Sequence, residues 1–288
     1  MPQFRNNQSQ AKPFLKWAGG KRGLIEQLFK RFPDDFNNYH EPFLGGGAVF
    51  FELYSRGMLQ GKQAYLSDIN SELINAYNVV KNNPNKLIAE LEIYKKNHNK
   101  EFYYDTRALD RSEGFKTLSE LKRATRFIYL NKTCFNGLYR VNSSGYFNTP
   151  IGSYENPNIA DKEVILDASE ALQNAIISNQ TFDKTTKNSK KGDFVYFDPP
   201  YYPLTKTAAF TAYNENTFLD EKQKELSVVY SKLDGLKCRV AQSNSDTEFI
   251  NSLYKKYEVH IIVMANRNIN SNTNKRQRVK ELIIRSYK

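Results

Sequence analysis

Cysteine, histidine and tryptophan are scarce in this 288-residue chain, with two cysteines, three histidines and one tryptophan. Cys134 and Cys238 lie far apart and form no CxxC pair, so no disulfide framework is expected and the chain reads as a protein of a reducing compartment. His40, His98 and His260 are isolated, so no zinc constellation, and no metal, is expected. Long apolar runs are missing too. Stretches such as 261–265 have core-strand length and cannot cross a bilayer, which argues against membrane association. The opening MPQFRNNQSQ is polar and lacks the apolar centre of a secretory signal. A cytoplasmic protein is therefore expected. Acidic residues are in deficit: 31 Asp and Glu face 42 Lys and Arg, a net charge of +11. That surplus favours a polyanionic partner, because basic side chains release counterions on meeting phosphates.

What is present is an alternation of short apolar strands with amphipathic helices, the pattern of an α/β fold. A helix is predicted over 21–32, where Leu24, Ile25, Leu28, Phe29 and Phe32 share one face. Strands are predicted over 39–43 and 64–67, with helices over 48–55 and from 72 onward. From about 75 to 175 helical patterns dominate, including 84–96 and 118–130. A long polar loop, 131–158, rich in Asn, Ser, Gly and Tyr, follows, and loops of that length are usually functional. Strand signals return at 176–177 and 194–197. Then come a helix (221–233), a strand (237–243), a helix (247–257) and two strands (258–264 and 279–285). The strands thus form two blocks around a helical insert: 1–74 and 176–288 read as one α/β domain, and 75–175 as a second domain within it.

Two motifs carry chemistry. Phe43-Leu44-Gly45-Gly46-Gly47 follows a strand and precedes a helix, where glycines let a ligand approach backbone N–H groups. Asp68 ends the next strand, where a carboxylate grips ribose hydroxyls in nucleotide sites. A tight glycine turn with no ligand is the other reading. The spacing is not GxGxxG, which weakens a nicotinamide-cofactor reading. The second motif, Asp198-Pro199-Pro200-Tyr201, directly follows the 194–197 strand. Its prolines stiffen the chain and remove N–H donors, leaving a carboxylate, free carbonyls and an aromatic face at a strand's carboxyl end. Adenine N6 is a poor nucleophile, since its lone pair is delocalised into the ring. The Asp198 carboxylate and the Pro199 carbonyl would hold both N6 hydrogens and favour the pyramidal, partly positive nitrogen of the transition state. Tyr201 would stack on a base drawn from the helix. A proline-rich turn that merely ends a strand is the alternative.

Together with Lys16-Trp17-Ala18-Gly19-Gly20-Lys21, Glu41-Pro42-Phe43, Leu66-Ser67-Asp68-Ile69-Asn70, Asn136-Gly137-Leu138-Tyr139-Arg140, Phe147-Asn148-Thr149-Pro150, Ser243-Asn244-Ser245 and Glu281-Leu282-Ile283-Ile284, these motifs resemble, in order, the Dam family of DNA adenine-N6 methyltransferases. The resemblance spans nearly the whole chain and is strongest to the GATC-modifying methylases that accompany type II restriction endonucleases. It implies a class I S-adenosylmethionine-dependent methyltransferase sheet flanked by helices, with a mainly helical target recognition domain inserted. It implies S-adenosylmethionine as cofactor, with Trp17, Lys21, Gly45, Gly46, Gly47, Asp68 and Asp198 in contact with it. Asp198, Pro199 and Tyr201 are the implied catalytic residues. Trp17 offers an aromatic wall and Lys21 a cation for the methionine carboxylate. Phe182-Asp183 resembles a weaker motif near the cofactor adenine, or else is a strand end with a solvated Asp.

For double-stranded DNA the resemblance implies Phe135 as a wedge beside a flipped base, unless it packs inward. Arg140 matches a reader of guanine O6 and N7, with a phosphate or an intramolecular partner as the alternative. Leu138 and Pro150 match apolar contacts for a thymine methyl, and Lys16 and Tyr154 lie near the outer guanine. Asn136 and Asn142 join the DNA-contacting set. Ser153 departs from the pattern, where some relatives carry arginine. Arg267, Lys275, Arg276 and Arg278 form either a phosphate clamp or a solvated hairpin tip. The implied partner is DNA, with a restriction endonuclease acting on the same site without stable binding, and the enzyme is expected to be a monomer. Cytosine-N4 methyltransferases share the architecture but usually place Ser where Asp198 stands.

Overall fold

The computed structural model describes residues 10–17, 19–204, 218–263 and 280–288. Among them run α1 (Ile25–Phe29), β1 (Tyr39–Glu41), α2 (Ala48–Ser55), β2 (Ala64–Asp68), α3 (Ser71–Asn82), α4 (Pro84–Lys96), α5 (Lys100–Ala108), α6 (Glu120–Thr133), α7 (Lys162–Leu172), β3 (Ala175–Asn179), β4 (Phe194–Phe197), α8 (Asp220–Gly235), β5 (Arg239–Ser245), α9 (Glu248–Leu253), β6 (Glu258–Val263) and β7 (Lys280–Arg285). The fold is mixed α/β. The chain divides into two compact units, one of Met1–Gly20, Gly45–Gly61 and Asn70–Asn179, the other of Lys21–Leu44, Lys62–Ile69 and Gln180–Lys288.

The second unit holds six strands in the order β2-β1-β4-β5-β7-β6. β1 runs parallel to β2 and β4, and β4 parallel to β5. β7 is antiparallel to both β5 and β6. All four residues of β4, Phe-Val-Tyr-Phe, are buried, as a central strand covered on both faces requires. Leu226, Tyr230 and Leu233 recur at helical spacing on α8 and pack with Val195, Phe197, Val240, Leu282 and Ile284. Each such side chain contributes about 1.5–3 kcal/mol on burial. The parallel strands put Glu41, Asp68 and Asp198 at one carboxyl edge. Because β7 runs the other way and pairs Glu281 with Ser245, its first residues reach that edge as well.

The first unit is mainly helical. Asn70 caps α3 by accepting from the N–H groups of Glu72 and Leu73, both at 3.1 Å. Ser119 caps α6, whose buried face includes Phe127, Ile128, Tyr129 and Leu130. An ion pair from Arg123 to Glu72 ties α6 to α3. Phe14 meets Tyr77 edge-on at 4.8 Å between ring centres.

Three local expectations change. The 21–32 helix is shorter: Lys21–Gly23 forms a 3-10 turn and only Ile25–Phe29 is α-helical. The 131–158 segment is not a plain loop, since Cys134 bridges Ile151 and Val141 bridges Phe147. The 247–257 helix is confined to Glu248–Leu253.

Candidate active site

The carboxyl edge of β4 places four charged or hydroxylic side chains together in the second unit. Lys21, 3% exposed, leaves its 3-10 turn toward this edge. Its Nζ lies 2.7 Å from Asp198 Oδ1 and 3.3 Å from Glu281 Oε1. It also donates to the Tyr201 hydroxyl at 2.5 Å and sits 4.6 Å from the centre of that ring. One ammonium thus serves two carboxylates. Burial pushes the Asp198 pKa up and the charge of Glu281 adds to this, against the opposing pull of Lys21. Burial likewise pushes up the hydroxyls of Tyr201 and Tyr196, so both remain protonated donors. Of these groups, Lys21, Asp198 and Tyr201 are expected from the sequence. Glu281 stands in a quoted motif but has no role there; its 1% exposure beside a cation is the signal that finds it.

Asp68 ends β2, and its carbonyl accepts from Gln180 N–H at 3.2 Å. Phe43 stacks on Phe182 at 5.5 Å and 22°, and Phe218 meets both edge-on. Asp183 pairs instead with Lys184 at 2.9 Å and accepts from Thr181, contacts that lower its pKa.

In the first unit the glycine turn has a packing partner of its own. A Cβ on Gly45 would come 2.8 Å from the Trp17 ring, and one on Gly46 would come 3.0 Å from Trp17 Cβ. Gly47 adopts φ 66° ahead of α2. Trp17 in turn stacks on Tyr139 at 5.8 Å and 18°, and Tyr77 donates to the Gly45 carbonyl at 3.1 Å. The glycines are therefore needed by the indole, whatever else they bind.

The segment after α6 displays the residues expected to meet DNA. Phe135 is 52% exposed, so it does not pack inward. Asn136 has the left-handed φ of 54°. At Gly137 a Cβ would lie 2.4 Å from Lys16 Cβ, so Lys16 and this turn fit only with glycine. Lys16 Nζ lies 3.7 Å from the ring centre of Tyr154. Arg140 is exposed and donates from Nε to Asn148 Oδ1 at 2.7 Å. Asn142 accepts from Ser144 and Tyr146 N–H, which commits its carboxamide oxygen to the hairpin tip. Leu138 is half-buried and Pro150 exposed. Arg267, Lys275, Arg276 and Arg278 lie outside the described residues.

Among the described residues no group of three or more His, Cys, Asp or Glu side chains is placed to hold a metal ion, and no helix is long and apolar enough to cross a membrane.

A type II methyltransferase, M1.LlaDCHI, of Lactococcus lactis subsp. cremoris is 41% identical over 99% of this chain and 98% of its own length. A type II methyltransferase, M.MjaIII, of Methanocaldococcus jannaschii is 40% identical over 96% of this chain and its whole length. The DNA adenine methylase of Escherichia coli K12 is 36% identical over 94% of this chain and 93% of its own. Residues 17–269 match the model of the D12 class N6 adenine-specific DNA methyltransferases, a span that includes Trp17, Asp68, the segment after α6 and Asp198. The chain belongs to the D12 class of N6 adenine-specific DNA methyltransferases.

Proposed function

We propose that this DNA adenine methyltransferase uses S-adenosylmethionine to methylate adenine N6 within GATC in double-stranded DNA, after turning the target base out of the helix. The observation that carries this reading is the Asp198 carboxylate held by Lys21 at the carboxyl edge of β4, with Pro199 and Pro200 following it in the chain.

S-adenosylmethionine fits the donor set in chemical type at Asp68, which suits its ribose hydroxyls. The three N–H groups of Lys21 are taken by Asp198, Glu281 and Tyr201, so Lys21 is assigned to the cofactor carboxylate through its charge alone. Trp17 and Gly45–Gly47 are assigned as further cofactor contacts. When bound, this cofactor supplies a methyl group activated on a sulfonium. The protein's task is to make N6 a nucleophile. Asp198 and Pro199 accept the two N6 hydrogens, which draws the lone pair out of the ring and toward the methyl carbon. Asp198 must be ionised for this, and Lys21 favours that form against the opposing effect of burial. Tyr201, with its hydroxyl held by Lys21, presents its ring to the extruded base.

Residues 75–175 are assigned target recognition, and 1–74 with 176–288 catalysis. Arg140, its Nε fixed by Asn148, retains its two terminal nitrogens for a guanine edge. Exposed Phe135 fills the space left by the extruded adenine, and Lys16 with Tyr154 approaches the outer guanine. Asn136, Leu138, Asn142 and Pro150 complete the contacts. A monomer suffices, since one copy modifies each strand of the palindrome in turn. A restriction endonuclease acting on the same sequence is the proposed functional counterpart.

Sequencing plasmid DNA methylated by the pure enzyme tests this reading. N6-methyladenine confined to GATC is expected. N6-methyladenine at another sequence would refute the site, and N4-methylcytosine would refute the chemistry.

A further inference from the structure

Gln223 and Asn244 are fully buried polar side chains with no role assigned in the proposed reaction. Gln223 lies on the apolar face of α8 with Leu226, Tyr230 and Leu233, and Asn244 lies in β5. Burying carboxamides in such places is costly unless they are hydrogen-bonded. Both are, and their bonds converge on the loop after β4. Gln223 Nε2 donates to the Pro200 carbonyl at 3.1 Å. Asn244 Nδ2 donates to Gln223 Oε1 at 3.0 Å. Asn244 Oδ1 accepts from Tyr202 N–H at 3.2 Å and from Ser245 N–H at 2.8 Å. Ser245 Oγ donates to the Tyr202 carbonyl at 2.6 Å.

We propose that Gln223 and Asn244 form a two-carboxamide relay that positions the Pro199 carbonyl and the Asp198 carboxylate for adenine N6. The inference rests on the reading of those two groups as the N6 acceptors. The relay takes up the Pro200 carbonyl and the Tyr202 N–H, while Ser245 Oγ takes the Tyr202 carbonyl. Proline fixes φ at residues 199 and 200, so little freedom remains between the end of β4 and Tyr202. Holding the Pro200 carbonyl orients the peptide between residues 200 and 201; with φ fixed by the Pro200 ring, ψ of Pro200 is the one soft torsion left between that peptide and the Pro199 carbonyl. The relay touches no reacting atom, so both residues act through the loop.

The test is single-turnover methylation of a duplex carrying one GATC by the full-length enzyme, with the affinity for S-adenosylmethionine measured by calorimetry and with thermal melting of each variant. Gln223→Leu removes the whole carboxamide. Gln223→Glu keeps its shape and its acceptor for Asn244 but loses the donor to Pro200 once ionised, so it is assayed at the upper end of the pH range of activity. Asn244→Leu cuts the other link. Each single variant is expected to lower the methyl-transfer rate by about tenfold to a hundredfold, as for a displacement of about 1 Å at the reacting centre. Cofactor affinity and the KM for DNA are expected to stay within about threefold. In the Gln223→Leu/Asn244→Leu pair the losses should not multiply, because both act through one loop. Should the leucine variants fail to fold, Gln223→Glu alone decides, since its shape is retained. A Gln223→Glu enzyme with the wild-type rate would overturn the relay. So would losses that multiply, or a rate loss that merely follows lowered melting and weaker cofactor binding. Asp198→Ala in the same assay separates the two ideas. If it turns over normally, the acceptor reading fails; if it is inactive while the relay variants match wild type, only the relay fails.

Discussion

Lys21 carries one positive charge and faces two carboxylates, the half-buried Asp198 and the buried Glu281. The balance among these three groups sets the state of the proposed catalytic acceptor. Burial and Glu281 both push the Asp198 pKa up, and Lys21 and the Tyr201 hydroxyl pull it down. A raised carboxylate pKa means that the active, ionised form disappears on acidification earlier than for an ordinary aspartate. Glu281→Gln deletes the repulsive charge and leaves Lys21 to Asp198 alone. The acid limb of kcat/KM against pH should then move to lower pH, with the basic limb unchanged. An unmoved acid limb, or one shifted upward, would show that Glu281 does not act on Asp198. Asp198 and Tyr201 are legible in the sequence because their motif is contiguous. Glu281 is not, because it stands 83 positions from Asp198 by number (281 against 198) and arrives only through the antiparallel pairing of β7 with β5.

Among the elements, those with a strong local pattern match expectation. The ends of α2, α4 and β4 fall where apolar periodicity, Pro84 and the Asp-Pro-Pro break put them. α1 is shorter because Gly23 weakens its first turn and Lys21 is drawn into the charge cluster. The 131–158 segment folds through distant partners that no local pattern reveals. Asp110 accepts from Phe147 N–H at 2.8 Å, and Arg111 donates to the Phe147 carbonyl at 2.9 Å. The amino ends of β1 and β4 are joined by Asp193, fully buried, which bonds His40 at 3.0 Å and accepts from Asn38 and Lys190 N–H. Burial alone would raise its pKa, but the hydrogen bonds from His40, Lys190 and Asn38 outweigh that and leave it lowered. A depressed folded-state pKa stabilises the fold above the unfolded carboxylate pKa, and that stability is lost as pH falls through the folded value. Asp193→Ala should therefore cost about 3–5 kcal/mol at neutral pH, from the partners it leaves unpaired. The gap to wild type should narrow below the ordinary aspartate range. Urea unfolding at pH 7 and under acid conditions measures both, and a pH-independent gap would contradict this role.

For the whole molecule, the +11 charge and the strand-helix alternation are readable directly, and they point to an α/β protein that meets a polyanion. The packing of the glycine turn is not readable, because Trp17 and Tyr77 reach Gly45 from distant parts of the chain. Charge makes a prediction of its own. Neutralising Lys275, Arg276 and Arg278 together should weaken binding to GATC and unrelated duplexes alike. It should also flatten the dependence of log K on log salt by roughly 0.9 for each phosphate no longer neutralised. Titrations at several salt concentrations measure this, and a weakening confined to GATC would assign these side chains to bases instead.

The Asp198 loop as the seat of methyl transfer underlies all of these expectations. Its sharpest test is single-turnover transfer of labelled methyl from S-adenosylmethionine to a duplex with one GATC, comparing Asp198→Ala with wild type and using melting of both proteins as the check on folding. Removing one charged acceptor from N6 should slow transfer by at least about a hundredfold in a folded protein. A folded Asp198→Ala enzyme that transfers methyl within about tenfold of the wild-type rate would rule out this role for Asp198.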